Sequence, residues 1–146
     1  MGFDLVARRE APGADDYYRA GIEFMGFLRV AMTAAGVDEA LVYRKFVSND
    51  NLLVTARESA TIATRLTEWL RGRALIVDLV EADPRGHIAL DALRITMSHV
   101  GLKRQAGRVA RQQRLTSRPV RIDRAARRAL RRFAAFCEGS GGFYVS

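Results

Sequence analysis

The sequence predicts a mainly α-helical single domain over residues 1–146: a bundle of five or six helices, with short strands available at the two ends. Three observations carry this. Apolar residues recur at helical spacing in several windows. Capping residues and glycines bracket those windows. A chain of 146 residues can bury one sizeable core without disulfides or metals.

The elements follow in order. Phe3 to Ala7 alternates weakly and suits a short strand. Arg8 to Ala14 holds Pro12-Gly13 and reads as a loop, after which Asp15 or Asp16 can cap a helix. Tyr17 to Ala35 has a helical pattern, with Tyr17, Phe24, Met25, Phe27, Leu28, Ala31 and Met32 on one side. Arg19, Glu23 and Arg29 fall on the other, and Gly36 ends the helix. A short helix follows from Val37-Asp38 through Tyr43 to Phe46, then a turn at Ser48-Asn49-Asp50-Asn51 and the apolar run Leu52-Leu53-Val54.

Thr55 and Glu58 fit a capping box for a helix to about Arg71, buried through Ile62, Ala63, Leu66, Trp69 and Leu70 and stopped at Gly72. Ala74 to Val80 is readable as strand or buried helix. Asp83-Pro84 opens a helix to about Val100. Leu102 to Leu115 reads as a basic amphipathic helix that Ser117-Arg118-Pro119 breaks. Asp123 caps a last helix, Arg124 to Glu138, which the Gly139-Ser140-Gly141-Gly142 segment ends. Phe143-Tyr144-Val145 suits a closing strand that can pair with Phe3–Val6.

Charge is distributed unevenly along this order. Lys103 to Arg132 holds 12 basic residues and one acid, Asp123. Through Glu138 that is 12 minus 2, or +10, and the rest of the chain, with 12 basic and 14 acidic residues, is −2. Arginines make up 22 of the 24 basic residues; Lys45 and Lys103 are the others. A GC-rich genome accounts for the number of arginines more easily than for their clustering. In the last helix Arg124, Arg127, Arg128, Arg131 and Arg132 fall within roughly 140° of arc, opposite Leu130, Phe133, Phe136 and Cys137. The preceding segment repeats the design with Lys103, Arg104, Arg108, Arg111 and Arg114.

Such a face suits an acidic protein, a nucleic acid or plain solvation with pairing to Asp15, Asp16, Glu81, Asp83 and Asp91. Arginine forks can neutralise phosphates, with salt-steep and sequence-independent affinity. No homeodomain, zinc-finger or RNP pattern is present, and no aromatic residue interrupts Lys103 to Arg132 to stack bases. A helix-turn-helix around Ala89 to Gln113 is a weak reading.

Other function classes are less well supported. One cysteine, Cys137, excludes an intramolecular disulfide, and its apolar neighbours suggest a buried thiol. No secretory pattern or apolar stretch of about 20 residues is seen, so the expectation is a cytoplasmic protein without a membrane span. Gly2 lacks the serine or threonine that myristoylation wants at position 6, where Val6 stands.

Asp78, Glu81, Asp83, His87, Asp91 and His99 gather acids and histidines, and His87 and Asp91 share an i, i+4 face. His99 lies about 120° around an ideal helix from His87, so the set does not converge. No HExxH motif occurs. A metal-dependent enzyme is therefore the weakest reading, and no catalytic residue, metal or cofactor is expected. Asn49-Asp50-Asn51 lacks EF-hand spacing. Ser140-Gly141-Gly142 follows a helix, whereas a phosphate cradle opens one.

Met1-Gly2-Phe3-Asp4, Tyr17-Tyr18-Arg19, the Asn49-Asp50 turn and the Phe133-to-Phe143 ending resemble a family of small uncharacterised bacterial and phage proteins. That family has an MGFD start, an Asn-Asp-Gly turn and an F-x-x-F-C-x-x-SGGF ending. Here Asn51 replaces the turn glycine, and tryptophans expected in the first helix are absent. The resemblance implies no activity; it implies that both ends belong to one packed unit with a structural SGGF segment.

The functional expectation is a small non-enzymatic binding protein. Its basic face, Arg104, Arg108, Arg111, Arg124, Arg127, Arg128, Arg131 and Arg132, docks an acidic partner protein. Sequence-nonspecific nucleic-acid binding is the alternative.

Overall fold

The computed structural model describes residues 2–9, 12–13, 15–73, 75–82 and 115–146. Its chain order is β1 (Gly2–Ala7), β2 (Tyr17–Gly21), α1 (Ile22–Ala34), α2 (Glu39–Lys45), β3 (Leu52–Val54), α3 (Ala56–Trp69), β4 (Ile76–Ala82), β5 (Leu115–Arg121), α4 (Arg124–Gly139) and β6 (Phe143–Val145). This corrects the expected all-helical bundle of five or six helices. The described residues form a mixed α/β fold with four helices, a four-stranded antiparallel sheet in the order β2-β1-β6-β3, and a separate β4-β5 pair.

The largest misreading is at Tyr17–Gly21. Tyr17 continues the apolar stripe of α1 on a helical wheel, which hides a strand of period two. Tyr18 and Ala20 are buried while Tyr17, Arg19 and Gly21 are exposed, and the segment pairs with β1 from Gly2↔Gly21 to Val6↔Tyr17. Cross-strand partners supplied by the preceding strand override a short local pattern. The ambiguous Ala74–Val80 stretch resolves as β4, which pairs with β5. Ser117-Arg118-Pro119, read as a helix breaker, lies inside β5, with Pro119 opposite Asp78. Among the described residues each strand of this ribbon is an edge, where proline is tolerated. The expected helices over Pro84–Val100 and Leu102–Leu115 lie outside the described residues, apart from Leu115 itself, which begins β5.

The two ends of the chain meet in the sheet. β6 lies between β1 and β3, with Leu5↔Val145 on one side and Leu52↔Val145 on the other. The pairing continues past the strand, where the Arg8 amide donates to Gly142 O at 2.8 Å and the Arg9 amide to Ser140 O at 3.1 Å. Gly142 holds φ +94°, and a Cβ there would lie 2.8 Å from Val54 O and 2.9 Å from Ala56 N. Only glycine permits that conformation and so close an approach to the β3–α3 junction.

Phe3, Leu5, Tyr18, Ala20, Val54, Phe143 and Val145 point from the sheet into the core. Met25, Leu28 and Met32 of α1, Ile62 and Leu66 of α3, and Leu130, Phe133 and Phe136 of α4 meet them. Phe133 packs edge-on against Phe46, Tyr18 and Phe143, with ring centroids 6.4, 5.6 and 6.4 Å away. Such pairs contribute about 0.5–1.5 kcal/mol beyond their buried area.

Local signals in α3 and α4 read true. Thr55 and Glu58 form the reciprocal capping box, and Asp123 Oδ1 accepts from the Ala126 amide at 2.7 Å. Arg29 departs from its expected outward position: it is buried, and its Nη1 donates to Phe46 O at 2.6 Å. Asn51 takes φ 55°, a left-handed conformation asparagine tolerates, and the neighbouring Asn49 Nδ2 donates to Gly2 O at 3.2 Å. Among the described residues, no helix is long and apolar enough to cross a membrane.

A candidate arginine-lined docking groove

α4 has one face in the core and one at the surface, because its apolar residues recur at three- and four-residue intervals between arginines. The apolar face is tied down beyond simple burial. Ser59 Oγ of α3 donates to Cys137 O at 2.5 Å and lies 3.1 Å from Ser140 Oγ, which is 3.2 Å from the same carbonyl. Both serines are buried, so this network satisfies the last turn of α4 where water does not reach. Burial pushes the Cys137 thiol far above the ordinary thiol range, only partly offset by its hydrogen bond with Ser59. Buried in the core, it packs as a small apolar group.

The other face of α4 borders an open groove of about 930 Å³. Arg124, Arg127, Arg128 and Arg131 form one wall. Arg71 and Arg73, from the turn after α3, and Arg121, at the end of β5, complete a set of seven arginines. Leu70 and Ile122 lie beneath, both buried, and the Ile122 amide donates to Leu75 O at 2.9 Å, which fixes the root of the β4–β5 ribbon beside the groove. Asp123 is the one acid among the described lining residues, and its carboxylate is engaged as the N-cap of α4.

The sequence-predicted basic face divides here. Arg124, Arg128 and Arg131 are exposed and line the groove. Arg132 is exposed but does not; its charge acts on Tyr18, whose hydroxyl is raised by burial and partly held back by that guanidinium. Arg127 is half-buried and turns inward. Its Nη1 donates to the carbonyls of Leu70 at 3.1 Å and Gly72 at 2.9 Å, and its Nη2 to Arg73 O at 2.9 Å. Arg104, Arg108 and Arg111 lie outside the described residues.

Sequence reasoning missed Arg71, Arg73 and Arg121 as parts of one site. The only available signal was the pair of arginines flanking the helix-stopping Gly72, which is far from α4 in sequence. Among the described residues, no carboxylate makes an ion pair with any of the seven arginines; Asp83 and Asp91, two of the acids expected to pair with the basic face, lie outside the described residues. Among the described residues the ion pairs are Arg19–Asp4 at 3.9 Å and Lys45–Glu58 at 2.6 Å, both away from the groove. His87, Asp91 and His99 lie outside the described residues, and among those described no cluster of three or more His, Cys, Asp or Glu is placed to hold a metal.

No family model matches the chain, and no curated protein or solved structure is significantly similar to it.

Proposed function

We propose that the protein is a non-enzymatic binding module that docks an acidic partner protein in the groove between α4 and the end of α3. The observation that carries this reading is the convergence of seven arginines on one concavity without carboxylate partners among the described residues. Like charges held this close repel one another, and an anionic partner relieves that cost. Arginine suits the task, because its planar fork takes a carboxylate in two parallel hydrogen bonds and is more weakly hydrated than lysine. Such complementarity acts mainly on association rate and partner choice.

The test is a salt titration of binding to labelled poly-L-glutamate, with single-stranded and duplex DNA alongside. Binding to the polypeptide at low salt, lost in the triple variant Arg124→Glu, Arg128→Glu, Arg131→Glu, supports the reading. Tight binding of DNA with none of the polypeptide replaces it by the nucleic-acid alternative.

A further inference from the structure

The shape and charge of the groove narrow the partner's docking element, and we infer that it is an α-helix with carboxylates at positions i, i+4 and i+7; this rests on the acidic-partner reading above. Length comes first: Arg124, Arg128 and Arg131 form one exposed stripe at i, i+4, i+7 beside the open groove, rising about 10 Å along α4. A second helix beside α4 matches that stripe with acids at the same spacing. Among the described residues, the α3–α4 seam beyond Arg131 leads to Glu138, which bounds the basic length at about two turns.

Charge from the backbone points the same way. The C-terminal end of α3 opens here and carries a partial negative charge that would repel acids. Arg127 cancels it by donating to three carbonyls of that turn, at Leu70, Gly72 and Arg73. The same bonds hold Arg71 and Arg73 on the far wall, so Arg127 is a positioning residue that docks no partner itself. The N-terminal end of α4 adds partial positive charge on the near wall.

A nucleic-acid strand fits less well. No aromatic residue is among the described lining residues, so the bases have no stacking platform.

The experiment uses alanine-based peptides of about 18 residues, long enough to hold some helix in water. One has glutamates at i, i+4 and i+7; a second has the same composition with the glutamates shuffled off one face; single-stranded DNA of equal charge is the third probe. Fluorescence anisotropy on the full chain is expected to give about tenfold tighter binding of the patterned peptide, a gap of roughly 1.4 kcal/mol. In Arg127→Ala that preference shrinks, while Arg127→Lys restores part of it. Equal affinity for both peptides overturns the helix inference and leaves the acidic-partner reading standing. Binding of neither peptide overturns both, as does preference for the DNA.

Discussion

On one side of α4, Leu130, Phe133, Phe136 and Cys137 are sealed against a sheet whose middle strands are the two ends of the chain. On the other, Arg124, Arg128 and Arg131 stand exposed around an open groove. The residues of the two faces are interleaved in one 16-residue helix. The first face has its hydrogen bonds satisfied inside the protein, down to the Ser59–Ser140 pair over Cys137 O. Among the described residues the second has guanidinium groups without carboxylate partners, and of these Arg127 is engaged by backbone carbonyls of the α3 turn. The contrast teaches that the packed face and the charged face of this helix are separable. It also shows that arginines adjacent in sequence do different work.

Substitutions can break that separation. The largest effect is expected from removing residues 143–146. β6 is an inner strand, so its loss leaves β1 and β3 without a common partner and removes Phe143 from the core. Cooperative unfolding should disappear from circular dichroism in urea. Next, Phe133→Ala should cost about 3–5 kcal/mol in a urea melt, because the ring is fully buried among three aromatic neighbours. Ser59→Ala should cost about 1–3 kcal/mol by the same measurement, since it strips a buried donor from Cys137 O.

Arg127→Ala tests the boundary between the faces. Losing a charged donor to three carbonyls should destabilise by about 1–2 kcal/mol, although Arg127 belongs by sequence to the arginine stripe. Charge reversal at Arg124, Arg128 and Arg131 sits at the other extreme: stability should stay within about 0.5 kcal/mol per site. A larger loss would mean that these arginines hold the fold, and the separation of faces would fail.

The smallest effect is a pH dependence at the capping box. Burial pushes the Glu58 carboxyl up, but Lys45 and the two Thr55 bonds outweigh it and leave the group below its ordinary value of 4.5. Its contribution is therefore complete above that pH and fades as pH falls through the lower, folded-state value. Lys45→Met should flatten the acid limb of stability there, read as urea midpoints between neutral and acid pH.

Legibility from sequence followed locality. The capping box at Thr55 and Glu58, the Asp123 cap and the buried stripe of α4 were readable because each is decided within one or two helical turns. The terminal strands were readable as apolar runs. Tyr17–Gly21 was not, because its five residues fit both periods and only pairing with β1 selects one. Arg29 was misplaced for a similar reason: a charge on a helical wheel reads as outward until a carbonyl such as Phe46 O is found for it inside.

The groove marks the same limit. By itself the sequence determined which residues of α4 would be apolar and which charged, and that the charge would be concentrated toward the C-terminal part of the chain. These follow from composition and a 3.6-residue period. Only the tertiary structure decided that Arg71 and Arg73 would face Arg124 and Arg131 across one concavity, and that Arg127 would turn inward. Chain segments some 50 residues apart meet through packing of α3 on α4, and a side chain's partners depend on what that packing brings within about 3 Å.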